Sequence, residues 1–169
     1  MRNRFFERSD GTIAIDLGNA RHTIIDKESL TLVEKSSNWR IDPAMPRYAK
    51  GHVGKHQRPL MHRLILGASR GQWVDHINGD GLDNRRSNLR FCTASQNHMN
   101  AVGWSRISRF KGVGKTKSGK QWRAAIGCRH LGTFADERSA ALAYDVAARA
   151  MYGEFARCNF QRLVDDVPD

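Results

Sequence analysis

The chain has 169 residues, and its 28 Lys and Arg outnumber its 17 Asp and Glu, which gives a net charge of +11 at pH 7. This balance favours a polyanionic partner, most simply a nucleic acid. The sequence has no apolar run of membrane-spanning length, and the segment MRNRFFERSDG lacks the apolar core of a signal peptide. We therefore expect a protein without a membrane partner, located in the cytoplasm of its host cell.

The positive charge is concentrated towards the C-terminal end. Residues 104–160 contain eleven basic and four acidic side chains, whereas residues 161–169 form an acidic tail with a net charge of −2. The three cysteines, Cys92, Cys128 and Cys158, are widely spaced and form no CxxC pair. We therefore expect neither a structural zinc ion nor a disulfide framework.

Residues 1–59 are predicted to form a small β-rich segment. GTIAIDL alternates apolar and polar residues, and HTIID and LTLVEK show a similar pattern between turn residues. Such alternation indicates half-buried strands, so we expect a small antiparallel sheet. Trp39 and Tyr48 could pack on this sheet or face DNA, and packing is the simpler interpretation.

A basic loop, residues 50–58, leads to LMHRLILGAS, which is predicted to be a short helix. Leu60, Leu64 and Ile65 are expected to face a core. His62 lies in this apolar setting, which favours a structural role or a phosphate contact over catalysis.

The segment 73–100, WVDHINGDGLDNRRSNLRFCTASQNHMN, has the most informative pattern. A short apolar strand carries Asp75 and His76, a polar glycine-rich loop follows, and Asn88 precedes a second strand. Thr93-Ala94-Ser95-Gln96 has the form of a helix capping box, which would place Asn97 in the first helical turn. A strand, loop, strand and helix of this length can bring Asp75, His76 and Asn97 together.

This segment resembles the HNH nuclease family, which has the ββα-metal fold, and in particular its branch of phage and intron homing endonucleases. The matching residues are Asp75-His76, Asn88 and Asn97, within the similar phrase DHINGDGLDNRRSNLR. The resemblance implies that His76 is the general base, that Asn88 orients the His loop, and that Asp75 and Asn97 bind a divalent metal. In many members the last of the three residues that give the family its name is a His. Asn97 takes that place here, and His98 lies one residue out of register.

The residue types suit phosphodiester hydrolysis. A neutral imidazole titrates near the working pH and can take a proton from water. Carboxylate and amide oxygens are hard ligands for magnesium or manganese, which can complete their coordination with water and phosphate oxygens. An Asp-His pair alone is usually only part of a polar loop, and a lone Asn in a helix is usually a cap or solvated. The combined spacing of Asp75, His76 and Asn97 in one compact unit favours a nuclease site over these simpler readings.

Residues 110–160 form a second recognisable unit. FKGVGK, KQWRAAIGC and HLGTF are predicted strands, with a turn at Ser118-Gly119. Asp136 is predicted to cap a helix from about residue 137 to 151, with Gly153 after its end. We expect one face of this helix to pack on the sheet residues Trp122, Ala124 and Ile126, and that face consists of Ala140, Tyr144, Ala147, Ala148 and Met151.

The other face of this predicted sheet is basic, and a charge run alone is as often a solvated surface. The phrases FKGV, WRAAI, LGTF, SAALAYDVAARAMYG and CNF, however, resemble the Apetala-2/ethylene-response-factor DNA-binding domain. The resemblance implies that the sheet lies in the DNA major groove. The first strand lacks the second Arg, near Gly114, and the turn at Cys128 is short, so base preference is not inferred. The candidate DNA-binding residues are Lys111, Lys115, Lys117, Lys120, Arg123 and Arg129, with Arg85 and Arg86 of the preceding unit.

The sequence therefore predicts an α+β protein with four parts: a β-rich segment (1–59), an HNH unit (60–103), an Apetala-2-type domain (104–160) and an acidic tail (161–169). We expect a monomeric, metal-dependent endonuclease that hydrolyses a phosphodiester of double-stranded DNA and leaves 5′-phosphate and 3′-hydroxyl ends. The alternatives are a non-catalytic, sequence-specific DNA-binding regulator on a nuclease scaffold and an RNA-binding or RNA-cleaving protein.

Overall fold

A computed structural model describes residues 3–52, 57–101 and 107–160. The chain forms two compact units, Met1–Asn97 and His98–Asp169. Both contain small antiparallel sheets and helices, so the α+β class is confirmed. Part of the basic loop, part of the segment that joins the two recognisable units, and the acidic tail lie outside the described residues.

The first unit contains seven short strands and two helices within its described part, and a third helix begins at its end. The strands are β1 (Phe5–Glu7), β2 (Ile13–Asp16), β3 (His22–Ile25), β4 (Ser37–Ile41), β5 (Ala49–His52), β6 (Trp73–His76) and β7 (Leu89–Cys92). The helices are α1 (Leu30–Glu34), α2 (Met61–Leu66) and α3 (Ala94–Asn100).

All strand pairs of this unit are antiparallel. Strands β1, β2 and β3 form one sheet in that order, β4 pairs with β5, and β6 pairs with β7. Alternate residues of a strand point to one face, and the buried core collects Ile13 and Ile15 of β2 together with Ile25 of β3. Met61 and Ile65 of α2 join the same core.

The predicted sheet of residues 1–59 is present, but one of its predicted strands is wrong. LTLVEK contains helix α1, not a strand. Leu30 and Val33 are three residues apart and both reach the core, which a helical period allows and a strict alternation does not. Strand β4 was not predicted; its Trp39 is buried in the core, which confirms packing over a DNA-facing role.

Helix α2 confirms the predicted short helix and most of its predicted core face. Ile65 is buried in the core and Leu64 packs against it, as expected, whereas Leu60 precedes the first turn. Met61 and His62 are buried as well. The helix ends at Gly67, whose φ of 64° provides the left-handed C-cap that glycine adopts most readily. Arg63 and Leu64 supply the carbonyls that this cap satisfies.

The second unit has a three-stranded sheet backed by one long helix, as predicted. The strands are β8 (Val113–Lys115), β9 (Trp122–Ile126) and β10 (Arg129–Phe134), with β9 in the centre. Helix α4 spans Glu137–Tyr152. Its first turn is capped as predicted, because the Ser139 backbone N–H donates to Asp136 Oδ1 at 2.8 Å.

Helix α4 lies close on the sheet because its inner face is built from alanine. Ala140, Ala141 and Ala148 are fully buried, and Tyr144 lies between them. Gly112 lets the chain pass that tyrosine, since a Cβ atom there would lie only 2.0 Å from the Tyr144 ring. Met151 was expected on this face but is 50% exposed. The apolar cluster at that end of the helix takes Tyr152 and Ala156 instead.

The segment after α4 is tied back by a buried carboxylate. Asp145 accepts hydrogen bonds from the backbone N–H groups of Asn159, at 2.7 Å, and Phe160, at 2.8 Å. Asn159 Oδ1 in turn accepts from the Lys111 N–H at 2.7 Å. None of the described helices is long and apolar enough to cross a membrane.

Candidate active site

Asp75 and His76 occupy the last two positions of β6, where the strand enters the polar loop. Their side chains are 6% and 4% exposed, so both are nearly buried. Adjacent strand residues point to opposite faces of the hairpin, and the two side chains therefore meet different surroundings. The predicted pairing of β6 with β7 places Arg90 opposite Asp75 and Leu89 opposite His76.

Arg90 forms an ion pair with Asp75 across the hairpin. Its Nε and Nη2 atoms lie 3.1 and 2.9 Å from Asp75 Oδ2. Both side chains are largely shielded from water, and such a charge-assisted pair is stronger than one on an exposed surface. No local sequence pattern points to Arg90. Its place becomes informative only when the strand register is known.

Two aromatic rings pack against the imidazole of His76. The ring of Tyr48 stacks on it at a centroid distance of 5.7 Å and an angle of 24°. The ring of His62 approaches at 4.9 Å and 73°, edge to face. Tyr48 and His62 also contact each other at 5.0 Å, so the three rings form one cluster.

This burial affects the protonation of both histidines. Desolvation lowers the pKa of His76, and a hydrogen bond to Asn84 together with the charge of Asp75 works in the opposite direction. Burial, followed by the neighbouring charges of His76 and Arg63, lowers the pKa of His62 to about 3. Burial therefore favours the neutral form of both rings, and a neutral imidazole is the form that can accept a proton.

His62 is buried, and its Nδ1 atom has no hydrogen-bond partner among the described residues. This setting favours the structural role over a phosphate contact. Tyr48 is brought to His62 and His76 by the turn that precedes β5, a contact that the sequence did not indicate.

The loop after His76 is organised around the carboxamide of Asn88. Its Oδ1 accepts from the Asn78 backbone N–H at 2.9 Å, and its Nδ2 donates to Asn78 Oδ1 at 3.0 Å and to the Asp83 carbonyl at 2.8 Å. The Asn88 carbonyl also accepts from the Ile77 N–H at 2.8 Å. These bonds join the start and the end of the loop that follows His76. Asn88 is the residue predicted to orient this loop.

Strand β3 of the N-terminal sheet supports the same loop from the other side. The Ile24 N–H donates to the Leu82 carbonyl at 2.9 Å, and the Asn84 N–H donates to the Ile24 carbonyl at 2.8 Å. Asn84 is fully buried, and its Oδ1 lies 3.3 Å from His76 Nε2. Its Nδ2 donates to Thr23 Oγ1 at 2.7 Å. No local sequence pattern indicates these contacts of Asn84 and Thr23.

Gly81 allows the loop to lie against Tyr48. A Cβ atom at position 81 would be 2.2 Å from the Arg47 carbonyl oxygen and 2.7 Å from the Tyr48 ring. The Arg47 guanidinium also donates to the Gly79 carbonyl at 3.0 Å. The glycine pattern of the loop therefore serves close packing beside the His76 ring cluster.

The predicted capping box is present at the start of α3. The Gln96 N–H donates to Thr93 Oγ1 at 3.1 Å, and the Thr93 N–H donates to Gln96 Oε1 at 2.8 Å. Asn97 follows in the first turn and is half-buried, with its N–H bonded to the Thr93 carbonyl at 3.0 Å. The cap thus places Asn97 immediately after the hairpin that carries Asp75.

The candidate metal ligands, Asp75 and Asn97, both carry oxygen donors. Among the described residues, no group of three or more His, Cys, Asp and Glu side chains gathers to hold an ion. Asp75 and Asn97 offer a carboxylate and an amide oxygen, the hard donors that magnesium accepts while keeping several waters. Their donor types suit such an ion, and Asp75 would share its carboxylate with Arg90.

Four of the candidate DNA-binding side chains are exposed on the second unit. Lys117 and Lys120 lie in the β8–β9 turn, Arg123 projects from the central strand, and Arg129 starts β10. Lys115 is half-buried and places its ammonium 4.0 Å from the centre of the Trp122 ring. A cavity of about 310 Å³ lies beside Arg123, lined also by Ile107, Gly112, Val113, Gly114, Lys115 and Ala125.

The other three candidates make internal contacts. Lys111 Nζ donates to the carbonyls of Met99, at 2.6 Å, and Ala101, at 2.7 Å, and burial lowers its pKa. Arg85 forms two bonds with the Asp83 carboxylate, at 2.8 and 2.7 Å, which raise the pKa of its guanidinium and lower that of the carboxyl group. Arg86 donates to the Ile65 carbonyl at 2.8 Å. These three side chains therefore have partners within the protein.

Comparison with known proteins finds a family match over the segment that contains Asp75, His76 and Asn97. Residues 60–99 match the family model HNH_3, described as HNH endonuclease. An uncharacterized HNH endonuclease of Acanthamoeba polyphaga mimivirus is 37% identical over 91 residues, which cover 52% of this chain and 46% of the viral protein. Residues 60–99 are therefore similar to HNH endonucleases, within a chain of which the viral similarity covers about half.

A second similarity concerns a plant protein. An AP2/ERF and B3 domain-containing protein of Oryza sativa subsp. japonica is 51% identical over 64 residues, which cover 36% of this chain. The chain spans less than half of the viral relative and 17% of the rice protein. No solved structure matches the chain.

Proposed function

We propose that the chain is a metal-dependent endonuclease of the HNH homing type that hydrolyses a phosphodiester in double-stranded DNA. The observation that carries this proposal is the buried imidazole of His76, which directly follows Asp75 at the end of β6 within the matched HNH segment. The similarity to the viral HNH protein supports the same conclusion.

In this proposal His76 is the general base that takes a proton from the attacking water. General-base catalysis by a positioned side chain contributes about a hundredfold to ten-thousandfold in rate. Tyr48 and His62 hold the ring in place, and Asn88 holds the loop that follows it. The products are 5′-phosphate and 3′-hydroxyl ends.

Asp75 and Asn97 would hold a divalent ion, magnesium or manganese. Such an ion supplies positive charge that stabilises the charge developing on the phosphate and on the leaving oxygen. Arg90 fixes one oxygen of the Asp75 carboxylate, because its guanidinium lies 2.9 Å away.

The proposed DNA-binding surface is the three-stranded sheet of residues 104–160, which would act as an Apetala-2-type domain. Its support is the similarity to the rice AP2/ERF protein and the exposed side chains of Lys117, Lys120, Arg123 and Arg129. Phosphate contacts by such side chains supply affinity and position without reading sequence. We place the HNH unit at residues 60–103 and the β-rich segment at residues 1–59, and we propose that a single chain binds DNA.

The test compares His76→Ala with the matched control His22→Ala, since His22 is exposed on β3. Supercoiled plasmid is incubated with each protein and magnesium, and DNA binding is measured by gel shift in the presence of a chelator. His76→Ala should lose cleavage about a hundredfold or more and keep binding, whereas His22→Ala should retain both.

A wild-type protein that binds duplex DNA without cutting it at any magnesium or manganese concentration would contradict the proposal and support a non-catalytic DNA-binding regulator. Preferential binding and cleavage of RNA in a competition experiment would contradict the substrate assignment. Normal cleavage by His76→Ala would contradict the assignment of His76 as the general base.

A further inference from the structure

We propose that Asn84 and Thr23 are positioning residues that fix the tautomer of His76, with the proton on Nε2 and the proton-accepting lone pair on Nδ1. The proposal rests on the proposed nuclease function for its catalytic consequence, but the tautomer itself follows from a chain of hydrogen bonds. That chain runs from the Leu82 carbonyl through Thr23 and Asn84 to His76.

The chain begins at a group that can only accept. The carbonyl oxygen of Leu82 lies 2.7 Å from Thr23 Oγ1, and a carbonyl has no hydrogen to donate. The single hydroxyl hydrogen of Thr23 must therefore point at Leu82. The competing contact, from Thr23 Oγ1 to Met61 Sδ, is 3.7 Å long and involves a weak acceptor.

The hydroxyl of Thr23 consequently has only acceptor capacity left for Asn84. The terminal amide of Asn84 lies 2.7 Å from Thr23 Oγ1, and only its NH₂ end can donate there. This contact decides the orientation of the amide, whose nitrogen and oxygen ends are otherwise nearly alike in shape. The carbonyl end, Oδ1, must then face His76.

The last step transfers this orientation to the imidazole. Asn84 Oδ1 can only accept, and it lies 3.3 Å from His76 Nε2, so Nε2 carries the hydrogen. In a neutral imidazole the other nitrogen then holds the lone pair. His76 Nδ1 is therefore the atom that would take the proton from water.

The backbone holds the chain of hydrogen bonds in register. Strand β3 exchanges backbone bonds with the loop on both sides of Asp83, through Ile24 N–H to the Leu82 carbonyl and Asn84 N–H to the Ile24 carbonyl. Thr23 and Asn84 are both fully buried, so water does not compete for their side chains. The N-terminal sheet thereby acts on the chemistry of a histidine more than 50 residues away in the sequence.

The matched pair of variants is Thr23→Val and Thr23→Ser in the full-length protein. Valine keeps the shape of threonine and removes the hydroxyl, so the Asn84 amide loses the partner that orients it. Serine keeps the hydroxyl. Long-range ¹H–¹⁵N correlation spectra of protein labelled with ¹⁵N-histidine, recorded above neutral pH, report which ring nitrogen of His76 is protonated. Cleavage rates and thermal melting are measured on the same samples.

We expect His76 to be protonated on Nε2 in the wild type and in Thr23→Ser. In Thr23→Val we expect a mixture of tautomers and a fall in kcat of at least about tenfold, within the range that a general base contributes, with little change in KM for DNA. Unchanged tautomer and kcat in a folded Thr23→Val would overturn the proposal. A wild-type His76 protonated on Nδ1 would overturn it even if the valine variant failed to fold.

The two proposals can fail separately. A wild-type spectrum with the proton on Nε2 in a protein that never cuts DNA would refute the nuclease function and leave the positioning role intact. A protein that cuts DNA while His76 carries its proton on Nδ1 would refute the positioning role alone.

Discussion

Asn88→Ala should destabilise the first unit by about 3 kcal/mol. The substitution removes three hydrogen bonds of the carboxamide, of 2.9, 3.0 and 2.8 Å, from a buried position. Each such bond contributes about 1 kcal/mol net, and the partners left behind in the loop are poorly placed to find water. Because the bonded groups adjoin His76, cleavage should also fall.

Equilibrium unfolding in urea, followed by circular dichroism and tryptophan fluorescence, measures this change. Ser87→Ala is the matched control, since Ser87 is exposed in the same short turn and should change the free energy of unfolding by less than about 0.5 kcal/mol. A loss below about 1 kcal/mol in Asn88→Ala, or equal losses in the two variants, would refute the view that the Asn88 carboxamide holds the loop.

Three further outcomes are expected. Burial lowers the pKa of His62 from 6.5 to about 3, so between these values the unfolded chain binds a proton that the folded protein does not, and stability is lost as the pH falls through this window. His62→Phe should therefore reduce the slope of unfolding free energy against pH by up to about 1.4 kcal/mol per pH unit, and an unchanged slope in urea titrations between pH 6.5 and 4 would count against the buried neutral imidazole. Arg123→Gln on the sheet should reduce the slope of the logarithm of the DNA-binding constant against the logarithm of the salt concentration by about 0.9. The control Arg138→Gln, on the helix behind the sheet, should leave this slope unchanged. Equal effects of the two variants would exclude the sheet as the DNA-binding surface. A single site acting as a monomer should make nicked circles accumulate before linear DNA on a supercoiled plasmid carrying the target, and immediate linear product from a stable dimer would contradict this.

Local patterns were enough for the elements that carry most of the proposed chemistry. The hairpin, the Thr93–Gln96 capping box and the Asp136 cap were all predicted correctly, because each depends on residues within a few positions of one another. The three strands and the helix of the second unit followed from the same kind of local signal. Local periodicity was ambiguous for LTLVEK, where apolar residues fit a strand or one face of a short helix.

The surroundings of His76 depended on contacts between residues far apart in the sequence. Tyr48 and His62 reach its ring from two other elements, and Thr23 meets Asn84 across 61 positions. Arg90 meets Asp75 only because of the strand register.

The sequence by itself thus determined the hairpin and the helix caps, since residue type and short spacing can be read from it directly. Its resemblance to HNH nucleases predicted His76 as the base and Asp75 and Asn97 as metal ligands. Only the tertiary structure decided how His76 is desolvated and oriented, because burial and hydrogen-bond direction are properties of segments brought together by packing. No local pattern in residues 1–59 reports their contact with the loop. The support of that loop by β3 therefore became visible only in the fold.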